Sequence, residues 1–232
     1  LNNVPTDKEI LRKWLKCGFI FNGELFPTEE GTPQGGIISP TLANMALDGL
    51  QSLLEHCIRK YKKNYKTIVS KIHLVRYADD FIVTAKDRET IETVILPLVR
   101  NFMAERGLTL SEEKTKITHI SEGFDFLGFN IRKFPNNTLL TQPSDDAKKR
   151  FCDKIRKVIE SNKTVKQRSL IKMLNPIIMG WGNYYKYGTS AETFHRVDWE
   201  IHRKLWQWAR RRHSNKSKGW VKDKYFKTVN GR

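Results

Sequence analysis

A chain of 232 residues, 39% of them hydrophobic, has enough apolar matter for one large core or two smaller ones, which excludes a disordered chain. Its formal charge of +17 is unevenly placed: residues 1–132 carry 18 Lys+Arg against 17 Asp+Glu, and residues 133–232 carry 24 against 8. Cys17, Cys57 and Cys152 form no CxxC or Cys/His cluster and fit a reducing compartment, and no apolar run approaches a membrane span.

Thr6-Asp7-Lys8-Glu9 has the form of a capping box, so a helix is expected from there to about Cys17, stopped by Gly18. Phe19-Ile20-Phe21 and Leu25-Phe26 flank Asn22-Gly23, a two-residue hairpin turn. A glycine-rich loop from Gly31 to Gly36 leads to Ser39-Pro40, which predicts a helix with Ser as N-cap, reaching about Tyr61 before a basic loop over 62–70. Ile72 to Arg76 and Phe81 to Ala85 are rich in β-branched and aromatic residues and read as strands joined at Tyr77-Ala78-Asp79-Asp80.

A helix is expected from Arg88 to Arg106, stopping at Gly107, and 108–110, 115–120 and 124–131 read as strands or strand-like segments. This alternation makes residues 1–132 an α+β layer structure. Pro135, Asn136, Asn137 and Pro143 mark 133–143 as a boundary. Helices are expected beyond it over 145–160, 165–174, 176–187 and 190–213, the last with Phe194, Val197, Ile201, Leu205 and Trp208 on one face.

Two carboxylates at the turn of an apolar hairpin repel each other and are costly to bury without cations. Mg²⁺ is a hard cation that takes oxygen ligands and keeps phosphate and water as its other partners, so Asp79-Asp80 suits chemistry on nucleoside triphosphates. Asp is also an ordinary turn residue, and the glycines of 31–36 could serve a plain connection. They also allow a ligand close to the backbone, with the Gln34 amide in reach of a base pair, sugar or phosphate. The order of elements decides between these readings. A glycine-rich loop opening a helix, then strand, Asp-Asp, strand, is the layout of a nucleic-acid polymerase palm. Five of the six tryptophans lie in the basic part, and a basic surface interleaved with aromatics suits nucleic acid better than an anionic membrane.

These segments resemble, in order, the motifs of reverse transcriptases encoded by group II introns. Gly31-Thr32-Pro33-Gln34-Gly35-Gly36-Ile37-Ile38-Ser39-Pro40-Thr41-Leu42-Ala43-Asn44 is similar to their motif B, and Tyr77-Ala78-Asp79-Asp80 to motif C. Gly107 to Lys116 resembles the motif D region, Phe124 to Phe129 the strand pair leading to the thumb, and Asn175 to Tyr185 the maturase or thumb domain of this class. The resemblance covers nearly the whole chain. It implies an α+β fold, a palm of antiparallel sheet with packed helices over 1–132, a linker over 133–143, and an all-α thumb over 144–232.

The function so implied is an RNA-directed DNA polymerase that also binds intron RNA and assists splicing and retrohoming, in a bacterial cytoplasm or an organelle, with no membrane partner. Its partners would be intron RNA, an RNA template with a DNA primer, dNTPs, a DNA target, and an upstream segment carrying the fingers and motif A. Asp79 and Asp80 would bind a catalytic Mg²⁺ pair. Pro33, Gln34 and Gly35 would line the incoming nucleotide and its templating base, and Tyr77 would pack beside the primer terminus. Lys114 would donate a proton to pyrophosphate or contact phosphate, unless it is a surface lysine of the Ser-Glu-Glu-Lys turn.

Lys148, Lys149, Arg150, Lys154, Arg156 and Lys157 would form one phosphate-tracking face on the first thumb helix, and Arg203, Lys204, Arg210, Arg211 and Arg212 another on the last. Trp181, Tyr184, Trp199 and Trp206 are expected in the thumb core. The family's motif A, which supplies another metal-binding Asp, has no counterpart, since Asp7, Asp48 and Asp87 are not expected on suitable strands. The resemblance thus implies a C-terminal fragment, inactive until an upstream segment or second chain completes the site. Two other readings stay open: an RNA-binding splicing maturase without polymerase activity, and a related CRISPR-associated or defence reverse transcriptase.

Overall fold

The computed structural model describes residues 7–27, 39–55 and 72–226. It falls into two compact units, residues 1–117 and 118–232.

In the first unit, helix α1 (Lys8–Lys16) is capped by Asp7, whose carboxylate accepts from the backbone N–H groups of Glu9 and Ile10. The capping residue is thus the second member of the expected box, because an Asp carboxylate satisfies two orphan donors at once. Strands β1 (Phe19–Phe21) and β2 (Glu24–Phe26) pair antiparallel across Asn22-Gly23, whose φ angles of 51° and 86° are those a tight hairpin demands.

Ser39 is itself the first residue of α2 (Ser39–Ala46). The long helix expected from it is interrupted: residues 47–49 form a turn with Gly49 at φ 87°, and helix resumes over 50–55. A left-handed glycine cannot continue the hydrogen-bond ladder. Burial of Leu47, Leu50 and Leu54 in one cluster holds both pieces.

Strands β3 (His73–Tyr77) and β4 (Asp80–Thr84) form an antiparallel hairpin in which Leu74 faces Val83, Arg76 faces Phe81 and Tyr77 faces Asp80. Alternation sends Leu74, Phe81 and Val83 onto the core of Leu50, Leu54, Ile95, Val99, Phe102 and Met103. Arg88–Thr90, Ile91–Ile95 and Leu96–Ala104 run on as one helix, α3, capped by the Asp87 carboxylate on the Thr90 N–H. Its middle five residues take the wider π form. Pro97 explains this, since its ring would collide with the Thr93 carbonyl in a regular α turn. Gly107, at φ 68°, ends the helix as expected. Residues 108–110 and 115–119 join no strand ladder among the described residues, with the Ser111–Lys114 turn between them.

The second unit opens with a three-stranded antiparallel sheet, β5 (Phe124–Phe126), β6 (Phe129–Lys133) and β7 (Leu139–Pro143), in that spatial order. The stretch 133–143 is therefore not a linker. Its Pro135, Asn136 and Asn137 make the β6–β7 turn, and Pro143 ends an edge strand, where a missing N–H leaves no ladder bond unmade. Helices α4 (Asp145–Ser161), α5 (Gln167–Tyr185), α6 (Ala191–Arg212) and α7 (Lys218–Tyr225) follow.

The two helices expected over 165–187 are one, with Pro176 inside it. An interior proline costs roughly 3 kcal/mol. Leu170 and Leu174 before it and Ile177, Ile178 and Trp181 after it pack on the same core, so breaking the helix would expose one half. That core takes Phe151, Ile155 and Ile159 from α4, Val197, Ile201, Trp208 and Ala209 from α6, and Val221 from α7. The i, i+4, i+8 spacing on α4 buries three large side chains, each worth roughly 1.5–3 kcal/mol.

Candidate active site

Asp79 lies in the two-residue turn between β3 and β4, and Asp80 is the first residue of β4, so the fold places both expected carboxylates at the hairpin tip. Both are exposed, and neither makes an ion pair with a described residue. The expected cost of burying them is absent: the apolar side of this hairpin lies along its strands and stops short of the turn. Ala78 carries the turn at φ 54°, a conformation that strains any side-chain-bearing residue by about 1–2 kcal/mol. Strain of this kind gathers where a turn must aim particular groups.

The outer face of the hairpin carries Asp80, Tyr77, Val75 and Ile82; Tyr77 is 65% exposed and Val75 54%. An apolar, aromatic strip thus leads to a pair of carboxylates. Arg76, on the opposite face, donates from Nη1 to Asn44 Oδ1 of α2 at 3.0 Å and to the Ala78 carbonyl at 3.1 Å. This guanidinium ties the helix that ends the motif-B-like segment to the turn that carries the aspartates. Sequence reasoning passed over it, although an arginine in an otherwise apolar strand beside the turn was a visible signal.

Pro33, Gln34 and Gly35 lie outside the described residues, as does the basic loop 62–70. Lys114 is exposed on the Ser111–Lys114 turn and has no hydrogen bond or ion pair to Asp79 or Asp80. Asp7 and Asp87 are helix caps and Asp48 lies in the turn after α2, so none of them stands on a strand. Among the described residues no group of three or more His, Cys, Asp or Glu could hold a metal ion. Two adjacent, unpaired carboxylates make an open set of hard oxygen donors. That set fits a hard cation such as Mg²⁺, which uses one or two carboxylates and fills its remaining positions with phosphate and water.

In the second unit, residues of the Phe124–Phe129 and Asn175–Tyr185 segments meet. The Tyr184 hydroxyl donates to the Leu127 carbonyl at 2.8 Å, and the Phe129 ring packs on Tyr184 and Tyr185 at 5.4 and 4.8 Å. Trp181 continues the cluster onto Phe151 and Phe194. Burial pushes the Tyr185 phenol above its ordinary value. Trp181 and Trp206 join the helical core, as expected, while Tyr184 sits at its edge, half exposed against Phe129. Trp199 does not join it: it is 62% exposed, with the Arg203 guanidinium over its ring at 5.5 Å.

The expected cations of α4 and α6 fall into three kinds. Lys148, Arg150 and Arg156 pair with Asp145, Asp146 and Asp153 on α4, and Arg203 pairs with Glu200 on α6. Lys149, Lys154, Lys157, Lys204, Arg210 and Arg211 have no ion pair among the described residues. The six on α4 are spread around its solvent side, where a 100° step per residue cannot place them in one line. Arg212 is structural, donating to the carbonyls of Lys163 at 3.0 Å and Val165 at 2.8 Å with its guanidinium over Trp208. One stretch was overlooked in the sequence: residues 161–190 hold no Asp or Glu, and carry Lys163, Lys166, Arg168, Lys172 and Lys186.

A family model for "Reverse transcriptase (RNA-dependent DNA polymerase)" matches residues 1–131. The chain belongs to the reverse transcriptase family. The model for "Group II intron, maturase-specific domain" matches residues 148–226, which include Trp181 and the cations of α4 and α6. The chain is 28% identical over 225 residues to the group II intron-encoded protein LtrA of Lactococcus lactis, covering 69% of this chain and 37% of that protein. It is 27% identical over 246 residues to an uncharacterized 91 kDa protein in the cob intron of Schizosaccharomyces pombe, covering 77% of this chain and 30% of the relative. A putative COX1/OXI3 intron 2 protein of Saccharomyces cerevisiae is 27% identical over 183 residues, 58% of this chain and 21% of the relative. The chain thus spans about a third of the length of the first two relatives. No described helix is long and apolar enough to cross a membrane.

Proposed function

We propose that the chain is the catalytic palm and the thumb of an RNA-directed DNA polymerase that also binds intron RNA and assists its splicing and retrohoming. The observation that carries this reading is the Asp79-Asp80 tip: two exposed, unpaired carboxylates on a turn tied by Arg76 to α2. Asp79 and Asp80 would hold Mg²⁺, which when bound activates a primer hydroxyl and neutralises charge on the leaving pyrophosphate. Tyr77 and the exposed strip beside it would seat the primer terminus. Pro33, Gln34 and Gly35 would line the incoming nucleotide, and Lys114 would meet its phosphates.

Lys149, Lys154, Lys157, Lys204, Arg210 and Arg211 supply the net charge that holds template, primer or intron RNA, while the paired Lys148, Arg150, Arg156 and Arg203 contribute less, since each first shares its charge with a neighbouring acid. Names of relatives as intron-encoded proteins support an intron RNA partner and a bacterial or organellar setting, to which the proposal adds a DNA target.

Two carboxylates are a sparse ligand set for a metal pair, and among the described residues neither the caps Asp7 and Asp87 nor the turn residue Asp48 adds to it. The 232 residues by themselves are therefore expected to extend primers poorly until a further carboxylate is supplied by another segment or chain. Primer extension on an RNA template, with and without such a segment, tests this; brisk synthesis by these residues alone would contradict the incomplete-site reading.

A further inference from the structure

In the second unit a cleft of about 470 Å³ opens between the C-terminal half of α4, the α4–α5 loop and the C-terminal half of α6. Its rim carries Arg156, Lys163, Lys204 and Arg211, and the one carboxylate lining it is Glu160. Arg156 is paired with Asp153, but Lys163, Lys204 and Arg211 have no ion pair among the described residues. Glu160 lies three positions from Lys163 and Glu200 four from Lys204, yet neither pairs with these lysines, and Glu200 is held by Arg203. Four rim cations therefore converge on one concavity against a single carboxylate, which concentrates positive potential there.

The walls are fixed in advance. Arg212 holds the carbonyls of Lys163 and Val165, and the Trp208 indole N–H holds that of Asn162 at 2.9 Å. The loop is thereby fastened to α6, so an anion would meet cations already in place.

We propose that this cleft binds a single-stranded segment of nucleic acid by its phosphates. The inference rests on the reading of the chain as a nucleic-acid-binding protein and adds which form of nucleic acid this site takes. Its volume falls in the range of roughly 300–1,000 Å³ that accommodates one small ligand, which suits a nucleotide or two of a strand and is too small to enclose a duplex. The only indole lining it, Trp208, is 5% exposed and committed to Asn162, so it offers no face for stacking. Gln207 and Thr164 are exposed and neutral, fit for a ribose or a phosphate oxygen. Recognition is accordingly through the backbone, without base preference.

The test is fluorescence anisotropy with the whole chain, using oligouridine, oligoadenine and an RNA duplex of equal length. Lys204→Gln/Arg211→Gln is compared with Lys218→Gln/Lys222→Gln, exposed on α7 and outside the cleft lining. Removing the cleft pair is expected to weaken single-strand binding about tenfold or more and to flatten its salt slope by about 1.4, two contacts at about 0.7 each, with duplex binding within about twofold. Arg211→Gln alone, at an exposed position, should show about half that slope change. Equal losses for strand and duplex, an equal loss from the α7 control, or a strong base preference would overturn the inference. If the parent chain binds no oligonucleotide, the nucleic-acid reading fails with it; binding indifferent to the cleft variants removes this inference alone.

Discussion

The contact between the β5–β6 turn and α5 gives a prediction that can be worked from single atoms. Gly128 has φ 79°, and a Cβ there would lie 2.5 Å from the Tyr185 hydroxyl but 3.7 Å from its ring carbon Cζ. Gly128→Ala therefore meets two penalties. The left-handed backbone costs about 1–2 kcal/mol, and displacing a buried tyrosine costs about 1–3 kcal/mol more. Tyr185→Phe removes the atom in the way and leaves an ordinary contact behind. Urea unfolding of the second unit, followed by tryptophan fluorescence, should give a loss of about 2–5 kcal/mol for Gly128→Ala in the parent and about 1–2 in the Tyr185→Phe background. The two residues would then be coupled by about 1–3 kcal/mol. Equal losses in both backgrounds would refute the steric account and leave only the backbone one.

Three further outcomes follow from the geometry. Arg212→Ala should destabilise the second unit by about 1–2 kcal/mol, measured by thermal unfolding, because two carbonyls lose a charged donor and Trp208 loses its cation. Burial, followed by the charges of Lys224, Arg212 and Lys216, holds the His213 imidazole below its ordinary value. The unfolded chain then binds more protons, so stability is full above about pH 6.5, falls as pH drops through that value, and levels off below the folded one; His213→Gln should flatten this part of the curve. Arg76→Ala should lower the turnover of an assembled polymerase by about tenfold to a hundredfold while leaving RNA binding unchanged, since it would free the aspartate turn from Asn44.

Much of the fold was legible because local chemistry and tertiary packing agree. Asn22-Gly23, the strands around Asp79-Asp80, the stop at Gly107 and the start of α4 at Asp145 follow from turn, strand and helix preferences. The errors arise where they conflict. Pro176 reads as a helix boundary, yet the apolar residues on both sides share one core, and burial outweighs the missing hydrogen bond. Pro135, Asn136 and Asn137 read as a linker, since a turn between short strands has the same composition as one between domains.

At the site, Asp79 and Asp80 could be named from sequence because the turn is local. Arg76 and Asn44 could not, because their contact joins residues far apart in the chain. Charge was the least legible feature: counting lysines and arginines gives the total, but pairing separates Lys204 and Arg211 from Arg150 and Arg203, and fastens Arg212 to the fold.

The central claim is that the hairpin tip carries nucleotidyl transfer, and template-primed DNA synthesis on RNA with Mg²⁺ tests it most directly. The chain is assayed together with a segment supplying the remaining carboxylate, as the parent and as Asp79→Asn. The account predicts synthesis by the parent, a loss of about a hundredfold or more in the variant, and RNA binding that is the same in both. Undiminished synthesis by Asp79→Asn would contradict it.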